Sequence, residues 1–408
     1  MNLRLTNSSP KIIVVGAGPA GASLAIRLAK ENFEVCLIER EKFPRQKLCG
    51  EFISPECLAH FRALGVLREM LAVGGETISE TVFYEPNGKN VSVPSTWFDA
   101  DSRGALSISR AEMDFRLLEK AKASGVSVLE ETAAIGLLFE KNKVCGVKVR
   151  TKGNELKEIS ADLIIDATGR ANVLGKLAEK EISRKGAKAQ RSKVKGQRSK
   201  LVGFKTHLEN VNLEKGRCEI YFFRGGYGGL SFIENNLANH CFLVKAAVVK
   251  EFNSDAEQIV ENVIFQNKRA RETMKDAKAV YDWLAVSVDG FGARDLNPAR
   301  NLFAVGDAAA FIDPFTGSGM LMALESAEIL AETITENRFS NDAIAEKYKA
   351  RHGRKFQKRL LVCSLMRRLA FVPSAAKALI SALSFSRVAR QILARSTRQT
   401  LAQKKIKS

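Results

Sequence analysis

Cysteine is scarce and poorly placed for a structural role. The seven residues at 36, 49, 57, 145, 218, 241 and 363 are an odd number without a CxxC pair, and the four histidines at 60, 207, 240 and 352 are scattered. A disulfide scaffold and a zinc module are both excluded as organising principles, and no metal is expected. No run of about 18 uninterrupted apolar residues occurs, and the start MNLRLTNSSPKIIVVG has no apolar run of signal-peptide length before its first turn signals. These absences predict a reducing, cytoplasmic setting. Aromatics interleaved with the charges, as base stacking would need, do not occur in the two segments where the net charge of +19 gathers. Residues 179–200 carry +7, and residues 351–408 carry +15 without a single Asp or Glu, leaving −3 for everything else. No nucleic-acid partner is expected of so nearly neutral a body.

What is present suits a folded enzyme. A chain of 408 residues, 45% hydrophobic and 27% charged, can bury a full core and divide into two domains, so overall disorder is excluded. KIIVVG (11–16) is a short apolar run ending in glycine, PAGASLAIRLAKEN has helical spacing, and EVCLIER (34–40) is a second strand. Strand, glycine turn, helix and strand within about 30 residues make a βαβ unit, hence a parallel sheet with a right-handed crossover. Further apolar strands are read at 126–131, 144–150, 161–169 and 301–307. Residues 76–106 and 201–290 instead alternate, as in TVFYEPNGKNVSV, with turn signals at Asn87-Gly88 and Gly225-Gly226.

The expected fold is therefore α/β. A Rossmann-like, parallel-sheet domain (1–75, 107–178 and 291–350) carries a discontinuously inserted antiparallel-sheet substrate domain (76–106 and 201–290), followed by a basic helical C-terminal segment (351–408). Residues 179–200, with QRSK twice and almost no large apolar side chain, read as a disordered basic insertion. In the tail, Phe385, Val388, Ile392 and Leu393 fall on one helical face and Arg387, Arg390, Arg395 and Arg398 opposite. The apolar face is expected to pack on the protein itself. The alternative is peripheral contact with the inner face of an anionic membrane, which the absence of acids keeps open.

Gly16-Ala17-Gly18-Pro19-Ala20-Gly21 matches GxGxxG between a strand and a helix: a tight turn, close approach of a pyrophosphate to backbone, and close helix packing. Glu39, at the end of the second strand, would accept hydrogen bonds from ribose hydroxyls and repel a 2′-phosphate, so the nucleotide is the ADP half of FAD or NAD. A second region, NLFAVGDAAAFIDPFTGSGMLMALESAEILAE (301–332), selects FAD. There a strand ends at Gly306-Asp307, whose carboxylate can hold a ribityl hydroxyl, and the turn Pro314 to Met320 opens a helix whose positive end would stabilise a reduced flavin ring.

GAGPAG with Glu39, FPRQKLCGE (43–51), SRAEMD (109–114), DATGR (166–170) and GDAAAFIDPFTGSGM together resemble the geranylgeranyl reductase-like flavoproteins, relatives of the aromatic-ring hydroxylases. The resemblance implies that Ala17 and Glu39 contact the ADP part with Arg45 beside it, that Cys49 and Gly50 border the flavin, and that Arg110 touches the cofactor. It further implies Ala134 near the adenine, Asp307 on the ribityl chain, Pro314, Gly317, Gly319 and Met320 around the isoalloxazine, and Asp166 and Gly169 in a second cofactor motif. Arg110 and Asp114, four apart at a helix start, could alternatively just pair. Cys49 is the only catalytic candidate, and as a lone thiol it reads more readily as a small filler.

The sequence departs from those relatives in FFRGGYGGLSFIE (222–234), where an aromatic motif with tryptophan is replaced by Tyr227, Gly228 and Gly229, the candidate substrate contacts. Trp97 and Trp283 do not form the tryptophan-rich motif of flavin halogenases, and no halogenase is expected. Without a second GxGxxG, NAD(P)H or an external electron donor must visit the flavin transiently. The resemblance implies hydride transfer through flavin N5 to a double bond of a small apolar, isoprenoid or polyketide-like substrate. The alternative is a monooxygenase that hydroxylates an aromatic or polyketide substrate with NAD(P)H and O2.

Overall fold

The computed structural model describes residues 11–99, 104–184, 201–338 and 340–398. Most of the insertion read as disordered, and the last ten residues of the basic tail, lie outside them. Residues 179–184 of that insertion instead end a helix, Val173–Arg184.

Five parallel strands run in the order Leu302–Ala304, Leu163–Asp166, Lys11–Val15, Glu34–Ile38 and Ser127–Leu129. Ile12, Ile13 and Val14 are fully buried, as a strand covered on both faces requires. On one face lie the crossover helix Pro19–Lys30, helix Arg110–Ala123 and helix Gly319–Asn337, sharing a core through Leu24, Leu28, Leu117 and Leu324. The other face is covered by Val173–Arg184 and an antiparallel sheet of Thr132–Glu140, Lys143–Thr151 and Leu156–Ser160. The run 144–150, grouped with the parallel strands for its apolar character, belongs to this covering sheet. It buries Val144, Val147 and Val149 while Lys148 and Arg150 stay exposed.

A second sheet has eight strands, ordered Lys278–Ala279, Leu201–Glu209, Ala238–Lys245, Gly226–Phe232, Arg217–Phe223, Glu80–Tyr84 and Asn90–Pro94, with Leu284–Val288 also paired to Leu201–Glu209. It is mixed rather than purely antiparallel, because Arg217–Phe223 runs parallel to Glu80–Tyr84 across the join between the two inserted pieces. Of residues 76–106, only the hairpin 80–94 enters it. Glu76–Ile78 and Ala105–Ser107 form a small separate sheet with Phe52–Ile53. Strand alternation decides what each face does: Phe204, Tyr221, Phe223 and Phe242 pack under the helices of residues 246–274, while Phe222, Tyr227 and Leu243 face the other way.

The expected boundary at residue 350 falls inside one continuous helix, Asn341–Ala370, held to the parallel sheet by a Tyr348 hydroxyl donating to the Ala304 carbonyl at 2.9 Å. Helices Pro373–Ser384 and Arg387–Ser396 then fold across the second sheet, with Ala376 and Ile380 against Phe222 and Tyr227.

Candidate functional site

A cavity of about 920 Å3 runs from the glycine turn after the first strand, between the two sheets, to the C-terminal helices. At one end Gly16 has φ +105°, and a Cβ there would lie 2.4 Å from the Ala167 carbonyl oxygen. A Cβ on Gly21 would lie 1.9 Å from the Gly16 oxygen, so this glycine is what lets the crossover helix seat on the strand end. Gly18 is different: a Cβ would meet only Arg110 Nη2 at 3.9 Å, and the residue lines the cavity with Pro19 and Ala20. No side chain caps this helix, so its unpaired first-turn N–H groups and positive end are available to an anion.

The surroundings are built for the same charge. Asp114, fully buried, accepts from Arg45 Nη1 at 3.0 Å and from Arg110 at 2.7 and 2.9 Å. Pairing within the helix and presentation to the cavity are thus not alternatives for Arg110, since the carboxylate holds both guanidiniums at the cavity wall. Burial is the largest single influence and works against the Arg110 charge, but Asp114 and Cys49 together outweigh it and hold the group above its ordinary pKa. Lys47, on the same wall, is pushed down to about 8 by burial and by Arg45 and Arg110. Positive charge in excess of its carboxylate partner is what a diphosphate would neutralise. Glu39, buried beside it, accepts from the Ala17 N–H at 2.9 Å and the Glu41 N–H at 3.1 Å.

At the far side, the turn Gly306–Ala308 brings Asp307 to the cavity, and Gly317 (φ +59°) leads into the uncapped N-terminus of Gly319–Asn337, with Gly319 and Met320 on the wall. Burial pushes Asp307 up to about 6, against the pull of Arg110, Arg170, Arg294 and Lys47. Cys49, Gly50, Ala134, Gly169 and Pro314 also line the cavity. Anion-binding backbone at one end, a carboxylate pair for hydroxyls, and a second helix N-terminus at the far end fit FAD.

Four of the residues expected at the cofactor do not line the cavity. Ala17 contributes its N–H to Glu39, while Gly21 and Gly306 are packing positions, a Gly306 Cβ meeting the Ala20 methyl at 2.8 Å. Asp166 is fully buried and uses both oxygens on its own chain, accepting from the Thr168 N–H and hydroxyl and from the Leu174 and Gly175 N–H groups. Of the substrate candidates, Tyr227 and Gly229 face the cavity; Gly228 faces the opposite way, where a Cβ would meet the Phe242 Cβ at 2.8 Å. Cys49 is accompanied by Cys241, whose thiol burial pushes up to about 12, so the structure adds no reactive thiol partner.

Two clusters escaped the sequence reading. Glu51, fully buried at the cavity edge, accepts from Lys205 Nζ at 2.5 Å, His207 Nε2 at 2.8 Å and the Arg110 N–H at 2.7 Å, tying the Cys49–Gly50 loop to the second sheet. The available signal was GFKTHL: two basic residues two apart in an apolar strand point to one face and need a buried partner. The second is the partner of Tyr227, itself an expected substrate contact: its hydroxyl donates to Asp313 Oδ1 at 2.6 Å, and Asp313 is not among the expected site residues.

A family model described as FAD binding domain matches residues 10–353. The chain belongs to the FAD-binding domain family. It is an FAD-binding oxidoreductase, related to the geranylgeranyl reductases and flavin monooxygenases. The flavoenzyme is 27% identical over 349 residues to digeranylgeranylglycerophospholipid reductase 1 of Methanococcoides burtonii, covering 83% of this chain and 78% of that one. It is 26% identical over 345 residues to a tryptophan 2-halogenase of Chondromyces crocatus, covering 80% of this chain and 61% of that one. Halogenases therefore stand among its relatives even without their tryptophan-rich motif. In fold it is similar to a flavin-dependent brominase (TM-score 0.76, 16% identity, 96% and 93% covered). It is also similar in fold to a geranylgeranyl bacteriochlorophyll reductase-like protein of Thermoplasma acidophilum (TM-score 0.73, 20% identity, 96% of each chain).

For this flavoenzyme, Asp307→Asn will weaken FAD binding by on the order of 10- to 100-fold, the worth of one charge-assisted hydrogen bond. The parent will lose affinity as pH falls through about 6, where the raised Asp307 carboxyl takes up its proton, and the variant will lack that step. Fluorescence titration of FAD across pH 5 to 8 measures both; equal pH profiles would remove Asp307 from the contact.

Proposed function

We propose that the flavoenzyme is a monooxygenase acting on an apolar aromatic or polyketide-like small molecule, with NAD(P)H as transient reductant. The diphosphate is held by the Gly18 turn and the guanidiniums of Arg45 and Arg110, the ribose by Glu39, and the adenine beside Ala134. Asp307 takes the ribityl chain, and Cys49, Gly50, Pro314, Gly317, Gly319 and Met320 border the ring. Bound there, FAD would supply two-electron activation of O2 at the expense of NAD(P)H, one oxygen atom ending in the substrate and the other in water.

The observation that carries this reading is the aromatic wall around Phe315, in the turn that leads into the second helix N-terminus. Phe315 sits 5.1 Å from Tyr227, 5.6 Å from Phe222 and 5.7 Å from Phe83, ring centre to ring centre, and Phe371 lies 5.7 Å from Tyr227. Tilted and edge-on rings at these spacings accept a further ring in the same manner. Tyr227 supplies a polar handle on this wall. Its hydroxyl donates to Asp313 Oδ1, so its oxygen can accept a substrate hydroxyl; as Tyr227 takes the substrate proton its own passes to Asp313 Oδ1, leaving the negative charge on the substrate oxygen. Drawing a proton from a phenol enriches its ring for attack by electrophilic oxygen.

The second reading, reduction of an isoprenoid double bond, is favoured by the similarity to the Methanococcoides digeranylgeranylglycerophospholipid reductase. One experiment separates them. Turnover of candidate phenolic and isoprenoid lipids under ¹⁸O2 will place label in the product, and Tyr227→Phe will keep its flavin band while losing about 100-fold in kcat. Unlabelled product formed without oxygen would establish the reductase instead.

A further inference from the structure

Helices Pro373–Ser384 and Arg387–Ser396 have two differently dressed sides. Inward, Ile380, Leu383, Leu393 and Ala394 wall the cavity, and the pair is fastened to the second sheet by Arg395 Nε donating to the Trp97 carbonyl at 3.1 Å and Lys89 Nζ donating to Ser381 at 2.9 Å. Outward, Phe385, Val388 and Ile392 are 84%, 65% and 63% exposed. The expectation that these three would pack on the protein with Leu393 is overturned: only Leu393 turns in, because the inward positions are taken by Leu383, Ala394 and Thr397. Val388 and Ile392, four apart, share one face of helix Arg387–Ser396, Phe385 stands in the turn that leads into it, and helix Asn341–Ala370 carries a further exposed pair, Leu361 and Leu365, at 68% and 59%.

These apolar residues are flanked by exposed Arg387, Arg395 and Lys377, and no acid occurs anywhere from residue 351 onward. An uncompensated apolar patch among cations has one partner that satisfies both: a bilayer surface, where the rings and branched chains enter the acyl boundary and the cations remain among acidic headgroups. A second copy would bring the same positive charge against it. No helix among the described residues is long and apolar enough to cross a membrane, so the contact is peripheral.

We infer that the outer face of the C-terminal helices docks the protein on an anionic membrane through Phe385, Val388 and Ile392, with the cover of the cavity lying against the lipid. Full-length, FAD-loaded protein will co-sediment with phosphatidylcholine–phosphatidylglycerol vesicles far more than with phosphatidylcholine alone, and less so at high salt. The triple substitution Phe385→Ser, Val388→Ser, Ile392→Ser will lower the bound fraction about tenfold or more while the flavin band and Tm stay those of the parent. Lys377→Glu with Arg387→Glu will remove the preference for the acidic lipid. Equal sedimentation with both vesicles, none with either, retention of binding by the triple variant, or self-association that the triple variant abolishes would each overturn the proposal. None of these readouts depends on turnover, so the result stands apart from the choice between hydroxylation and reduction.

Discussion

A Gly21→Ala protein will purify colourless. The added methyl would stand 1.9 Å from the Gly16 carbonyl oxygen and 3.0 Å from the Ala167 side chain, both in the seam between the first strand and its crossover helix. Backbone cannot yield as a flexible side chain can, so the helix must lift from the strand end, carrying Gly18 and the first-turn N–H groups away from where a diphosphate is held. Overpacking of this kind costs about 1–3 kcal/mol of stability, but the loss of aligned anion-binding groups is the larger effect, and FAD affinity falls by on the order of 100-fold or more. The ratio of visible flavin to protein absorbance measures it. Gly353→Ala is the contrast: a Cβ there meets nothing within 4 Å in the middle of helix Asn341–Ala370. That change will leave the colour intact and stabilise by about 1 kcal/mol through helix propensity. Full flavin content in Gly21→Ala would mean that the crossover does not hold the cofactor.

Glu51→Leu will be the most destabilising single change at the junction of the two sheets. It removes the carboxylate from a fully buried site and leaves the Lys205 ammonium, also buried, with only Gln46 Oε1 at 3.0 Å and the Lys47 carbonyl at 3.3 Å. Breaking a buried pair from one side costs about 3–5 kcal/mol, since the remaining charge keeps its desolvation penalty without its partner. A loss of that size lowers Tm by about 4–6 °C in a chain of this length. Adding Lys205→Met removes the stranded charge, so the double variant will melt well above Glu51→Leu, and the cycle reads the coupling directly. Flavin affinity will fall in the single variant as well, because Glu51 accepts the Arg110 N–H and positions the Cys49–Gly50 loop. Parental melting of Glu51→Leu would contradict a charged pair here.

Much of the fold was legible because its signals are local. The glycine turn, the apolar run at 11–15 and the acid at Glu39 lie within one crossover, and the hairpin turns at Asn87-Gly88 and Gly225 follow from residues that accept positive φ. Misreadings came where composition resembles a different environment. Residues 144–150 are as apolar as a buried parallel strand, yet bury one face only; Asp166 ends a strand before a glycine-containing turn as a cofactor ligand would, yet its oxygens accept from backbone N–H groups at the start of the following helix, Val173–Arg184.

From its residues alone the chain determined a dinucleotide crossover at 16–21, an acidic turn and helix start at 306–320, and a cationic tail, because each is written in neighbouring residues with their own backbone and charge requirements. Only the tertiary structure decided that Glu51 meets Lys205 and His207, that the Tyr227 hydroxyl donates to Asp313, and that Phe385, Val388 and Ile392 turn outward. Those outcomes rest on register and packing between segments far apart in sequence, where a one-residue shift sends a side chain to the opposite face.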